Sequence, residues 1–317
     1  MKKFKVFLAV SLLSFVLIAL AQRSFLVIGT GDANGVYYPV GGIISRIVNG
    51  IATNYSRLTV EVTAGSVENI EGLNVGGFDF AIVQSDVAYQ AYHGEGDFTG
   101  RPIEVLRAVI ALHPEPMHLI CHQDAEIASF RDIKGKAINI GVEGSGIRRT
   151  VLDMLAAFGM SLSDLQAFSL GISEARVKLA EGGLDCFFYS VGVGSIAVKD
   201  TATLTPIKLI PLDDPELEAL AAQYPYYVMA TIPAGSYYRV DQDVRAFGVK
   251  ALLASTTDLN SNTAYFVVKG LLENIDILQA RHPSLSAITK ESLLEGLSIP
   301  LHSGAIRAFK EASLVKP

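Results

Sequence analysis

Residues 25–48 read FLVIGTGDANGVYYPVGGIISRIV. The first five are a short apolar run. Residues 30–35 form a turn of small and polar residues, and the remainder is amphipathic. A strand that enters a helix through such a turn leaves unpaired backbone N–H groups at the helix start, facing whatever sits above the strand. The same unit returns at 136–158. There KAINIG (136–141) is the strand, Val142-Glu143-Gly144-Ser145-Gly146 is the turn, and 147–158 is a helix stopped by Gly159.

Working outward, LTVEVT (58–63) alternates like a strand and runs through Ala64-Gly65-Ser66 into a helical stretch at 67–75. Gly77-Phe78-Asp79 opens a buried strand to Val83, followed by Gln84-Ser85-Asp86 and a helix through Tyr92. Gly183-Leu184-Asp185 opens an apolar run to Ser190 in the same way. Apolar strands alternating with helices predict an α/β protein with mostly parallel sheets and helices on both faces. Two sets of such units joined by crossing strands predict two lobes with the ligand cleft between them. Residues 22–112 and 233–317 form lobe I and 113–232 form lobe II, with crossing strands near 107–121 and 226–232. Strands at 107–112 and 118–121 are expected to be interrupted by His113-Pro114-Glu115-Pro116, because proline breaks a ladder. Further strands fall at 206–212 and 244–253, with helices at 172–182, 214–222, 264–274, 290–294 and 301–311.

The chain has 317 residues, half of them hydrophobic and 18% charged, enough for one large domain or two ordinary ones. Lys2, Lys3 and Lys5, an apolar run at 6–20 and Ala19-Leu20-Ala21 read as a cleavable secretory signal over 1–21, cut near Ala21. A periplasmic or otherwise extracytoplasmic location is expected. The signal carries three lysines and no acid, so its removal takes the formal charge from −6 to −9. That balance argues against nucleic acid as a partner, which wants a basic face. Cys121 and Cys186 could pair in an oxidising compartment. Lying in apolar strand-like runs, they read as two buried core thiols.

Ligands of open α/β sheets gather beyond the carboxyl ends of strands. Four turns meet there: 29–38, 64–69, 84–86 and 141–149, with 189–194 as a fifth. Their Gly, Ser, Thr, Asn and Gln residues suit a reversible grip on a carboxylate, and helix starts add partial positive charge. Ser66, Asn69, Gln84 and Ser145 are the polar candidates, although for any one turn helix capping explains the same residues. One of Tyr37 and Tyr38 is expected to face the cleft. Arg148 and Arg149 open a helix where a cation opposes the dipole, which suggests that one of them serves an anion.

Two enzyme readings compete. The turn Gly29-Thr30-Gly31-Asp32-Ala33-Asn34-Gly35 resembles a dinucleotide fingerprint, but Asn34 stands where its third glycine belongs and no P-loop lysine motif occurs. An exported hydrolase would use Ser145 with a distant histidine, but Gly144-Ser145-Gly146 lacks the spacing of a nucleophile elbow, and the six histidines fall outside the strand-end turns. A non-enzymatic protein without cofactor or metal is expected.

The chain also resembles the TAXI group of TRAP-transporter solute-binding proteins. The matching stretches are Gly29-Thr30-Gly31 with Gly35-Val36-Tyr37-Tyr38-Pro39, then Thr63-Ala64-Gly65-Ser66-Val67-Glu68-Asn69 and Val83-Gln84-Ser85-Asp86. They continue with His113-Pro114-Glu115-Pro116, His118-Leu119, Gly144-Ser145-Gly146, Tyr224-Pro225-Tyr226-Tyr227-Val228 and Ile299-Pro300-Leu301-His302-Ser303-Gly304-Ala305. The resemblance implies a two-lobed, periplasmic-binding-protein-like fold and a receptor, monomeric by expectation, that captures a small organic anion by lobe closure and passes it to TRAP membrane subunits. The anion would be an acidic amino acid such as glutamate or a dicarboxylate such as 2-oxoglutarate. By position its contacts fall on Gly35, Val36, Tyr37, Tyr38, Ser66, Gln84, Ser85, Ser145, Gly146, Tyr189, Ser190 and Val191. Ile147 replaces the threonine usual after Gly-Ser-Gly and removes one donor.

Overall fold

A computed structural model describes residues 25–51 and 57–315; the expected signal at 1–21 lies outside the described residues. The opening stretch forms strand β1 (Phe25–Gly29) and helix α1 (Tyr37–Ile51). Val40, Ile43, Ile44, Ile47 and Val48 recur at helical spacing and bury one face of α1 on the sheet. Pro39 sits in the first turn of that helix, where a missing N–H removes no bond. β1 lies between β2 (Arg57–Glu61) and β3 (Phe80–Gln84), parallel to both. Helices α2 (Ser66–Asn74) and α3 (Ser85–His93) follow β2 and β3.

The second set repeats this plan. β5 (Ala137–Asn139) is parallel to β6 (Gln166–Phe168) and β7 (Cys186–Ser190). β5 leads to α4 (Gly146–Ala157), β6 to α5 (Ile172–Ala180) and β7 to α6 (Ile196–Leu204). Val151, Met154 and Leu155 of α4 pack on Ile138 and Phe188. The two Gly-x-Asp openings prove to be one device used twice. The N–H of Asp79 donates to Val27 O, and its carboxylate accepts from Val27 N. Asp185 makes the same pair of bonds with Ala137. In each set the aspartate fastens the start of the third strand to the first.

Two long strands join the sets: β4 (Leu106–His122) and β10 (Val244–Thr256), antiparallel to each other. The strand order is β2-β1-β3-β10-β4-β7-β5-β6. β8 (Ile207–Ile210) pairs with β4, and β9 (Val228–Ile232) with β10. Helices α7 (Pro215–Gln223), α8 (Ser261–Glu273), α9 (Ile275–Arg281) and α10 (Ser303–Glu311) complete the chain.

Four features depart from the sequence reading. The sheet is mixed rather than mostly parallel, because β4 and β10 run antiparallel to every strand they pair with; the isolated bridge from Ala108 to Leu301 is parallel. The long strand beside β4 is β10, whereas 228–232 only borders its first half. His113-Pro114-Glu115-Pro116 does not interrupt β4. Pro116 stands opposite Gly248, where an added Cβ would meet Glu115 O at 2.7 Å, so the missing side chain lets the backbones close in beside the proline. Finally, Cys121 and Cys186 face each other across β4 and β7 and are joined by a disulfide, not held as separate thiols.

Candidate functional site

A cavity of about 140 Å³ opens where the strand ends of the two sets face each other. Gly31, Asp32, Gly35, Val36 and Tyr37 reach it from the turn after β1, Thr63–Ser66 from the turn after β2, and Gln84 from the end of β3. The opposite wall is built by Gly141, Val142 and Ser145–Ile147 before and within α4, by Leu170–Ile172 after β6, and by Phe188–Val191. Glu115 of β4 forms part of the lining between them.

Each piece has a local cause. Asp32 closes the first turn by accepting from Gly35 N through its carbonyl, at 2.8 Å, and from Asn34 N through its carboxylate, at 2.8 Å. This swings Tyr37 over the sheet, where its hydroxyl donates to Glu115 Oε2 at 2.8 Å. Burial, with the Glu115 charge beside it, pushes the Tyr37 phenol well above its ordinary range, so it stays a donor. Ser145 caps α4, accepting from Arg148 N and donating to Val142 O. The N–H groups of Gly146 and Ile147 have no hydrogen-bond partner among the described residues. Asn139 fixes the opposite wall by accepting from Leu170 N and donating to Leu170 O.

The two walls also touch directly. Val67 N and Glu68 N, at the start of α2, donate to Gly144 O at 3.0 and 3.2 Å. Those two N–H groups therefore join the lobes instead of facing a ligand. Gln84 Nε2 donates to Thr150 Oγ1, which donates to Asp86 Oδ2 at 2.6 Å. Gln90 Nε2 donates to Asp153 Oδ2 at 2.7 Å, and Asn34 Nδ2 to Ser173 Oγ at 3.0 Å. Gly65 has φ 126°, a conformation open essentially to glycine, and a Cβ there would lie 3.4 Å from Ser145 Cα. Asp86 is fully buried, and that burial raises its carboxyl to about 7.

Of the residues singled out in sequence, Gly35, Val36, Tyr37, Ser66, Gln84, Ser145, Gly146, Tyr189, Ser190 and Val191 come together in the lining. Tyr38 points away and is 39% exposed. Asn69 is enclosed and donates both amide hydrogens to Thr30 O and Ile82 O, which ties β1 to β3. Ser85 donates to Tyr226 O and accepts from Lys250 N. Arg148 reaches Ser169, while Arg149 pairs with Asp153 and Asp97. These four expected contacts, Tyr38, Asn69, Ser85 and Arg148, lie outside the lining. Glu115, Thr63, Asn139, Leu170, Gly171, Ile172 and Phe188 also line the cavity and lie outside the set expected from the sequence. The proline pair disguised Glu115 as loop, and β6 is too short to announce the strand end that delivers residues 170–172.

Two sets of β-α units joined by paired long strands, with one cavity between their strand ends, define the two-lobed periplasmic-binding-protein fold. A family model described as the NMT1-like family matches residues 28–312, and the chain belongs to that family. Among solved structures, a protein from Bordetella bronchiseptica RB50 matches with a TM-score of 0.56 at 15% identity, over 93% of this chain and 90% of that one. A chain of the glutathione import route through GshT and the cystine ABC importer TcyBC of Streptococcus mutans gives 0.52 at 12%, over 86% and 100%. A putative L-cystine ABC transporter protein from Listeria monocytogenes gives 0.51 at 12%, over 83% and 96%. At these identities the likeness is one of fold.

Proposed function

We propose that the chain is a secreted solute receptor that closes its lobes on a small organic acid and hands it to a membrane transporter. The observation that carries this reading is the cavity itself, walled from both lobes by strand-end turns and sized for a metabolite rather than a polymer. The acids implied by the whole-chain resemblance are acidic amino acids such as glutamate and dicarboxylates such as 2-oxoglutarate, with a TRAP-type carrier as the receiving partner. Gly146 and Ile147 N–H at the start of α4 are the donors offered to a carboxylate. Family membership and fold support the receptor role, and the similar structures named for ABC importers supply the alternative partner.

A hydrolase reading is weaker, since the Ser145 hydroxyl is engaged in capping and no histidine is in the cavity lining among the described residues. A thermal-shift screen of small acids and amino acids tests the receptor reading. A ligand present at about 100 times its Kd should add about 2.7 kcal/mol of stability. If no compound raises Tm, the reading fails. Uptake into vesicles carrying the partner then separates the two transporter classes: a sodium gradient drives one and ATP the other.

A further inference from the structure

The charges in the cavity run against a dicarboxylate. Asp32 and Glu115 are the charged side chains of the lining, and both are acids. The arginines of the neighbouring helices are engaged elsewhere: Arg148 with Ser169, Arg149 with Asp97 and Asp153, and Arg176 with Asp200. A ligand with two carboxylates would set two negative charges against two others, with no cation in the lining to answer them.

Glu115 is the informative residue. It is 2% exposed, and one of its oxygens accepts from Tyr37. The other lies 3.5 Å from His113 Nε2 but accepts no hydrogen bond from a described residue. A carboxylate has about four acceptor positions, and a buried one left largely without donors is costly. A ligand ammonium beside Glu115 supplies both the donors and the opposite charge. The far wall has another character. Val142, Ile147, Leu170, Ile172 and Phe188 present hydrocarbon to the cavity. Ile147 is the position where the resemblance leads one to expect a hydroxyl. The volume holds on the order of ten water-sized groups, about the heavy-atom count of a small amino acid.

We propose that, within the receptor reading on which this inference rests, the ligand class is a small zwitterionic amino acid with an apolar side chain. Glu115 binds its ammonium, the start of α4 binds its single carboxylate, and the aliphatic wall of lobe II covers its side chain. Glu115 then acts as the specificity-determining residue.

Calorimetric titration of the mature protein, dialysed free of carried-over ligand, tests this with four probes: leucine, valine, 4-methyl-2-oxopentanoate and glutamate. The oxo acid keeps the skeleton of leucine without the ammonium, and glutamate keeps the ammonium but adds a second carboxylate. Leucine or valine should bind at least about 100-fold more tightly than either, the scale expected when a buried charge loses its partner. Glu115→Gln should reduce the preference for leucine over its oxo analogue to less than about 10-fold. The comparison in the wild-type protein stands even if that variant folds poorly. Binding of the oxo acid or of glutamate as tight as that of leucine overturns the inference while leaving the receptor reading in place. Absence of binding by every acid and amino acid screened overturns both.

Discussion

Tyr37 and Glu115 share a part-buried hydrogen bond whose contribution to stability can be measured directly. Removing the hydroxyl by Tyr37→Phe leaves Glu115 Oε2 without its donor at a buried position. Urea denaturation at pH 7 should then show a loss of about 1–3 kcal/mol, larger than a surface substitution gives. Asp86 makes a separate prediction from its proton. Its carboxyl is raised to about 7, chiefly by burial, so between the usual carboxylate range and pH 7 the folded state holds a proton that the unfolded state has released. Its contribution is therefore most favourable at acid pH and is lost as pH rises from about 4 to 7. Asp86→Asn should remove that slope, and the variant's stability relative to wild type should rise across this window by on the order of 1–4 kcal/mol. His118 works in the opposite sense. Burial lowers it to about 4 while it hydrogen-bonds Pro116 O and Tyr237, so it opposes folding as pH falls from 6.5 toward 4. Comparing wild type with Asp86→Asn at each pH cancels the His118 contribution.

At the level of elements, β4 is the member on which the others depend. It pairs with β10, β7 and β8, carries Glu115 into the cavity and is bonded to β7 through Cys121 and Cys186. The disulfide closes a loop spanning 65 positions of sequence, so reduction should lower stability by about 2–4 kcal/mol, read as the shift in denaturation midpoint with and without reductant. Equal midpoints would mean that the ladder alone holds the two strands. Gly248→Ala probes the close approach beside Pro116. The added methyl meets Glu115 O, and a loss of about 1–3 kcal/mol is expected by the same assay. These elements were largely legible in the sequence because apolar runs and glycine stops are local signals; β1, α1, α4 and the paired Gly-x-Asp openings fall where the pattern puts them. The prolines of β4 do not break the strand, because proline costs only the loss of one donor. Whether a strand survives that loss depends on the residue opposite, here Gly248.

For the whole molecule, the proposed receptor role depends on how the two lobes meet. Side chains of one reach across to the other at Gln84–Thr150, Thr150–Asp86, Gln90–Asp153 and Asn34–Ser173. Ligand binding in a hinge-closing receptor draws on such contacts, so a variant that removes one should weaken affinity without altering the cavity. Asn34→Ala is the cleanest, since this contact is exposed. Titration with whichever ligand the screen identifies should show a loss of no more than about 10-fold, and an unchanged Kd would mean that the contact does not contribute to closure. Small-angle scattering should report a smaller radius of gyration with ligand than without.

By itself the sequence determined the α/β alternation, the repeated strand–turn–helix units and most of the turns that line the cavity, because periodicity and turn chemistry are written in consecutive residues. Tertiary structure alone decided which of those turn residues face inward. Asn69 and Ser85 look like ligand donors in sequence, yet the neighbouring strands claim their hydrogen bonds, and Arg148 turns to Ser169. It also decided the charge of the site, since Glu115 reaches the cavity only because two antiparallel strands, 133 positions apart in sequence at the Glu115–Gly248 approach, pass close enough to carry it there. Contacts between distant segments follow from packing, and packing leaves no periodic trace in the chain.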